Sequence, residues 1–191
     1  MGRIKFAMVC AANQNRSMEA HALLKEHGFE VGSFGINGHV KLPGPTQHQP
    51  NVYNFGTPYE VIYRDLRSKD EAFYEQKGLL QMLQRNMSIK LAPQRWQDNQ
   101  EQFDVVIVFE ERLMDNLLED FNSKAQSSLR PLLVINIDVQ DSHEEAAKVA
   151  PQALKLCTML EEREWQENVD GIMADFEREH GRRLLYTICF Y

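Results

Sequence analysis

The sequence predicts a doubly wound α/β fold: a mostly parallel five-stranded sheet with helices on both faces. Three observations point there. Short apolar runs, the signature of strands buried on both faces, recur along the chain. Segments with apolar residues at helical spacing separate most of them. The first run, the first helical segment and the second run form a βαβ unit, which closes with a right-handed crossover onto a parallel pair.

Ile4–Cys10 is the first strand, and Ser17 to about His27 a helix stopped by Gly28. Glu30–Phe34 is the second strand, ended by Gly35. Residues 36–56 are polar and carry Pro43, Pro45 and Pro50. So long a stretch without periodicity is expected to be functional or disordered. Thr57-Pro58-Tyr59-Glu60 reads as a capping box opening a helix with Val61, Ile62 and Leu66 as its apolar stripe. A short helix over about Leu79–Arg85 follows Gly78, and residues 36–100 together read as an insertion over the sheet of a single 1–191 domain.

Asp104–Phe109 (DVVIVF) is the third strand, followed by a helix from about Glu111 to Phe121. Leu132–Ile137 (LLVINI) is the fourth. Ser142-His143-Glu144-Glu145 is a second capping box, opening a helix to about Leu160. Trp165 to about His180 carries Val169, Ile172, Met173 and Phe176 at helical spacing, and Leu184–Phe190 is the fifth apolar run.

Composition narrows the function. A formal net charge of −7 disfavours direct nucleic-acid binding, which needs a positive surface to displace counterions. No apolar run approaches the roughly 20 residues that span a bilayer, and the start MGRIKFAMVC is too short for a signal peptide. Gly2 lacks the hydroxyl residue at the sixth position that myristoylation uses. The three cysteines, Cys10, Cys157 and Cys189, are odd in number and far apart, as in a reducing compartment. There is no CxxC and no zinc-like histidine spacing, so neither a metal nor a cofactor is expected.

The chemistry concentrates in Cys10-Ala11-Ala12-Asn13-Gln14-Asn15-Arg16-Ser17, at the junction of the first strand and first helix. Open sheets of this class bind ligands at the carboxyl ends of their strands. Backbone N–H groups of such a turn can converge on a phosphate at the helix N-terminus, and a planar guanidinium can grip its oxygens. Asn13 and Asn15 suit left-handed backbone positions. Helix dipole, amides and Arg16 favour a Cys10 thiolate, and Ser17 offers it a hydroxyl. The pattern predicts phosphoryl transfer through a cysteinyl-phosphate. An acid for the leaving oxygen is expected from another strand end. Asp141, after the fourth strand, is preferred to Asp138, three residues earlier. Cys157 and Cys189 read as core residues. Trp96 and Trp165 read as packing or partner contacts. Glu110-Glu111-Arg112, Glu161–Glu164 and Arg182-Arg183 read as solvated charge.

The chain resembles a known family nearly end to end, the nuclear serine phosphatases of the RNA polymerase II carboxy-terminal domain that work in cleavage and polyadenylation. The resemblance rests on VCAANQNRSMEAH (9–21), HVKLPGP (39–45), PNVYNFGTPY (50–59), KGLLQML (77–83), APQRWQ (92–97), FDVVIVFEER (103–112), INIDVQDSHEEA (135–146) and the terminal CFY. It implies a low-molecular-weight-tyrosine-phosphatase-like sheet with a cap over the cleft. It implies hydrolysis of phosphoserine in Ser-Pro units of the heptad YSPTSPS, chiefly at the fifth position, with the following proline cis. It further implies Cys10 as nucleophile, Arg16 as phosphate clamp, Asp141 as general acid, and a peptide groove between the 39–45 loop (Lys41, Leu42, Pro43, Gly44) and the 77–87 cap (Met82). A symplekin-type scaffold and a nuclear location follow from the same resemblance. Ala11-Ala12 stand where the family carries at least one serine, Gly35-Ile36-Asn37-Gly38 where it has Gly-Thr-Gly, and Lys148-Val149-Ala150 where a glycine is common. The competing readings are a low-molecular-weight tyrosine phosphatase with the same chemistry and a scaffold subunit with weakened catalysis. An arsenate reductase fits less well, for want of a resolving cysteine nearby.

Overall fold

Along the first strand, side chains alternate between two cores. The computed structural model describes residues 3–191; Met1 and Gly2, on which the myristoylation argument rests, lie outside them. In β1 (Lys5–Cys10), Phe6, Met8 and Cys10 enter one apolar cluster, and Ala7 and Val9 enter the other. This is the period of two of a strand covered on both faces. The first helical segment forms α1 (Arg16–Glu26) and returns the chain to β2 (Glu30–Gly35), parallel to β1 with Cys10 opposite Gly35.

The 36–56 stretch is not structureless. It contains an antiparallel hairpin, β3 (Val40–Leu42) and β4 (Asn51–Tyr53), too short to show a strand period. Then come α2 (Tyr59–Gln76) and α3 (Leu79–Ile89). The capping box expected at Thr57 does not form. The cap residue is Pro58, the Tyr59 amide donates to the Leu91 carbonyl at 3.0 Å, and Glu60 pairs with Arg64 instead. Val61 is half exposed rather than part of the apolar stripe, which runs through Tyr59, Ile62 and Leu66. Within α2, Asp70 leaves helical geometry and its Oδ1 accepts from the Phe73 amide, so the helix kinks there.

A 3-10 turn (Trp96–Asp98) leads to β5 (Val105–Val108), α4 (Glu111–Ser123) and β6 (Pro131–Asn136). Next follow α5 (His143–Glu162), α6 (Trp165–His180) and β7 (Leu185–Phe190). The sheet order is β2-β1-β5-β6-β7, with β1, β2, β5 and β6 parallel and β7 antiparallel at one edge. Ala20 and Leu24 of α1, Leu156 and Leu160 of α5, and Ile172 and Phe176 of α6 cover one face. Leu113, Leu117 and Phe121 of α4, with Trp96, cover the other. Each fully buried Leu or Phe of this kind contributes roughly 1.5–3 kcal/mol. The hairpin, α2 and α3 share a third cluster, which takes in Met18 of α1 and so seats them against the carboxyl end of β1.

Trp96, Trp165 and Cys157 are buried packing residues, as expected, but Cys189 on the edge strand is only half buried. No helix among the described residues is long and apolar enough to cross a membrane.

Candidate active site

β1 delivers Cys10 to the carboxyl end of the sheet, and α1 begins six residues later. Between them the chain turns through Asn13 at φ 55°, a left-handed position that asparagine tolerates. Asn15, also expected to be left-handed, has φ −114°. Ile36 and Asn37 amides donate to the carbonyls of Cys10 and Ala11, so the β2 end fixes the start of the turn. Among the described residues, no N–H group from Ala11 to Asn15 donates to a protein acceptor.

Cys10 is buried, with Sγ 3.0 Å from Ser17 Oγ. Asn13 Nδ2 donates to the same Oγ at 3.1 Å, and Asn13 Oδ1 accepts from the Gln94 amide at 3.0 Å. A hydroxyl has one proton and two lone pairs, so Ser17, while accepting from Asn13, still has a proton it can donate to sulfur when Cys10 acts as a nucleophile. Ala11 and Ala12 side chains pack against the second and third apolar clusters and leave the turn amides free. The missing hydroxyls therefore do not remove the cradle.

Arg16 is buried and anchored through Nη1, which donates to the Val139 carbonyl at 2.8 Å and the Phe109 carbonyl at 3.1 Å. Nη2 lies 3.2 Å from Glu110 Oε2. Glu110, expected to be solvated, thus forms an ion pair with Arg16. Nε has no hydrogen-bond partner and faces Asp141 Oδ1 at 3.7 Å.

Asp141 stands on the same rim. Asn15 Nδ2 donates to its Oδ1 at 2.9 Å, and the following Ser142 caps α5 by accepting from the Glu145 amide at 3.1 Å. Asp138 is engaged elsewhere: its carboxylate accepts from the Glu111 amide at the start of α4, and its carbonyl accepts from Arg182 at 2.7 Å. Arg182 is therefore not merely solvated.

The remaining expected residues divide. Lys41 and Pro43 are exposed on or beside β3, and Gly44 is partly exposed. Leu42 and Met82 are buried in the third cluster. A Cβ on Gly44 would collide with the Gln49 carbonyl oxygen, so only glycine closes that loop. Ile36 is buried in the second cluster, while Lys148 pairs with Glu144 and Glu145 on the solvent side of α5.

Sequence reasoning missed Tyr59 of α2, Arg85 and Asn86 of α3, and Gln94 beyond it, which surround the turn. The Tyr59 hydroxyl donates to the Asn13 carbonyl at 2.7 Å, and Arg85 Nη2 and Asn86 Nδ2 donate to the Gln14 carbonyl at 2.8 and 2.9 Å. A signal was present: Asn86 lies in register with Leu79, Met82 and Leu83 on an otherwise apolar stripe. Burial pushes the Tyr59 phenol well above its usual range, so it stays an O–H donor. Lys90 Nζ donates to the Ser33 carbonyl at 2.7 Å behind the turn, and burial pushes its amine down to about 7. Among the described residues, no group of three or more His, Cys, Asp or Glu gathers as metal ligands.

A doubly wound sheet with this cysteine turn at a strand end defines an α/β phosphatase. The sequence model described as Ssu72-like protein matches residues 4–191, and the chain belongs to that Ssu72 family. It is 48% identical over 189 residues to the RNA polymerase II C-terminal domain phosphatase SSU72 of Danio rerio, covering 98% of this chain and 97% of that protein. Its Homo sapiens counterpart is 47% identical with the same coverage. Drosophila melanogaster Ssu72 was solved with Symplekin and a cis peptidomimetic CTD peptide carrying phosphoserine at the fifth position. It superposes with a TM-score of 0.96 at 41% identity, covering both chains fully. YfkJ from Bacillus subtilis, at 18% identity and a TM-score of 0.50 over 85% of this chain and 98% of its own, shares the fold.

Proposed function

We propose that this protein removes phosphate from phosphoserine in Ser-Pro units of the RNA polymerase II C-terminal heptad repeat, chiefly at the fifth position. It does so with a symplekin-type scaffold in the nuclear machinery of transcription termination and mRNA 3′-end processing. The observation that carries the chemistry is Cys10 Sγ beneath a turn of free backbone amides, 3.0 Å from Ser17 Oγ, with Asp141 tied to the same turn by Asn15. The relatives named for CTD phosphatase activity, and the solved relative holding Symplekin and a cis phosphoserine peptidomimetic, support the substrate and partner.

In the first step the Cys10 thiolate attacks phosphorus in line with the serine oxygen. The S–P bond forms as the O–P bond breaks, and Asp141 delivers its proton to the leaving oxygen. The turn amides and the free Nε of Arg16 stabilise the equatorial oxygens. In the second step Asp141, now a carboxylate, takes a proton from water, whose oxygen attacks phosphorus and frees Cys10. This sequence of steps requires Asp141 to carry the proton that the leaving oxygen receives and Cys10 to attack as the thiolate. Residues 36–100 act as a cap over this cleft, with the exposed Lys41 and Pro43 on the peptide side.

An unfolded X–Pro bond is cis only about 10–30% of the time, so a prolyl isomerase accelerates turnover at high enzyme concentration. The test is product mapping on singly phosphorylated heptad peptides, with and without isomerase, beside a phosphotyrosine peptide. Release from the fifth-position phosphoserine, lost in Cys10→Ser and reduced roughly 10²–10⁴-fold in Asp141→Asn, is the expected result. Activity surviving Cys10→Ser, or insensitive to vanadate, overturns the mechanism. A preference for phosphotyrosine overturns the substrate.

A further inference from the structure

The two carbonyls that point out of the cysteine turn toward the inserted helices are both held by side chains. Asn13 O accepts from the Tyr59 hydroxyl of α2. Gln14 O accepts from both Arg85 and Asn86 of α3. Arg85 is itself fixed by an ion pair with Glu19 of α1, and Asn13 and Asn86 are wholly buried. These contacts have a consequence on the other side of each peptide plane. A trans peptide sets the C=O of one residue antiparallel to the N–H of the next, and the described residues contain no cis bond. Fixing Asn13 O toward α2 turns the Gln14 N–H away from it. Fixing Gln14 O toward α3 does the same for the Asn15 N–H. Neither N–H has a protein acceptor among the described residues.

We propose that Tyr59, Arg85 and Asn86 are positioning residues for phosphoryl transfer, holding the Asn13 and Gln14 carbonyls so that the Gln14 and Asn15 N–H groups face the bound phosphoryl oxygens. The proposal rests on the reading that this turn receives the phosphoryl group. Released from these donors, either peptide plane can rotate and turn a carbonyl oxygen on the anion, exchanging attraction for repulsion. Asparagine tolerates the left-handed position of Asn13, but that local preference does not fix which way the neighbouring peptide planes face. Two hydrogen bonds on one carbonyl are more than satisfying a buried oxygen requires. The inserted segment thus does more than cover the cleft: it sets the direction of the amides.

The test is amide NMR of the full chain titrated with inorganic phosphate, with turnover of an aryl phosphate and thermal melting measured on the same samples. The variants are Tyr59→Phe, which keeps the ring and removes only the hydroxyl, and Asn86→Leu, which preserves size. In the parent protein, phosphate shifts the Gln14 and Asn15 amide protons. Tyr59→Phe is expected to diminish the Gln14 shift first and Asn86→Leu the Asn15 shift first. Each is expected to weaken phosphate binding and lower kcat roughly 10-fold or more, the scale of a misdirected oxyanion donor. A purely structural role lowers the melting temperature without this residue-by-residue pattern. Cooperatively melting Tyr59→Phe protein with unchanged phosphate affinity and unchanged Gln14 shift overturns the proposal and leaves the phosphatase reading intact. No phosphate-dependent shift anywhere in residues 11–16 of the parent protein removes the phosphatase reading, and this proposal with it.

Discussion

His21 sits one turn beyond Ser17 on α1, buried, with Nδ1 2.7 Å from Ser33 Oγ. Burial first, then the charges of Lys90 and Lys25, push its imidazole down to about 3. The unfolded chain binds that proton near pH 6.5 and the folded one near 3, so between these values the unfolded state holds more protons. The stability His21 contributes is complete above pH 6.5 and is lost as pH falls toward 3, by up to about 1.4 kcal/mol per pH unit. Urea unfolding at about pH 7, 5.5 and 4.5 is expected to show a flatter acid dependence in His21→Gln than in the parent; identical slopes refute this. Gly35 is the second residue-scale constraint. A Cβ there would meet the Phe55 ring at 2.7 Å and the Ala11 carbonyl oxygen at 2.9 Å. The ring can yield, but Ala11 O belongs to the cysteine turn. Gly35→Ala is therefore expected to lower both melting temperature and kcat, while a melting shift with unchanged kcat would show that only Phe55 moved.

At the scale of elements, α5 joins stability to chemistry. Its cap Ser142 accepts the Glu145 amide, and Asp141 is the residue before it. Ser142→Ala is expected to cost about 1 kcal/mol in denaturant unfolding. It is also expected to reduce kcat, because the carboxylate loses the anchored start of its helix; a kcat equal to the parent's would mean that the Asn15 bond alone holds Asp141. This capping box was legible because serine and glutamate at that spacing act locally. The apparent one at Thr57 was not a true signal, since the Leu91 carbonyl takes the first amide of α2 instead. The hairpin escaped detection because three-residue strands are too short to show a period, and its pairing joins residues as separated as Val40 and Tyr53. The helix expected over about Leu79–Arg85 ends one turn before α3 does, and that last turn carries Asn86.

At the scale of the molecule, Arg16 ties three strand ends together: its own turn after β1, the Phe109 carbonyl after β5 and the Val139 carbonyl after β6. A lysine has one nitrogen and no planar fork, so it cannot hold both carbonyls and also present a donor to a phosphate. Arg16→Lys is expected to lower the melting temperature by several degrees and kcat by more than about 10². Near-parent kcat with a lowered melting temperature would confine Arg16 to the structural tie. The alternating apolar runs determined the layered sheet without help from anything distant, because burial on both faces demands continuous apolar strands whatever their partners. The cysteine turn was likewise written locally, since strand end, turn and helix start are contiguous. What only the tertiary structure decided is how that turn is held. Glu110, Gln94, Tyr59, Arg85 and Asn86 lie 46 to 94 residues from the groups they contact, and a polar residue's partner depends on where the chain brings it, not on its neighbours in sequence. The surroundings of Asp141 and Asp138 are of the same kind: two carboxylates three residues apart, one bonded to the turn through Asn15 and the other to the start of α4.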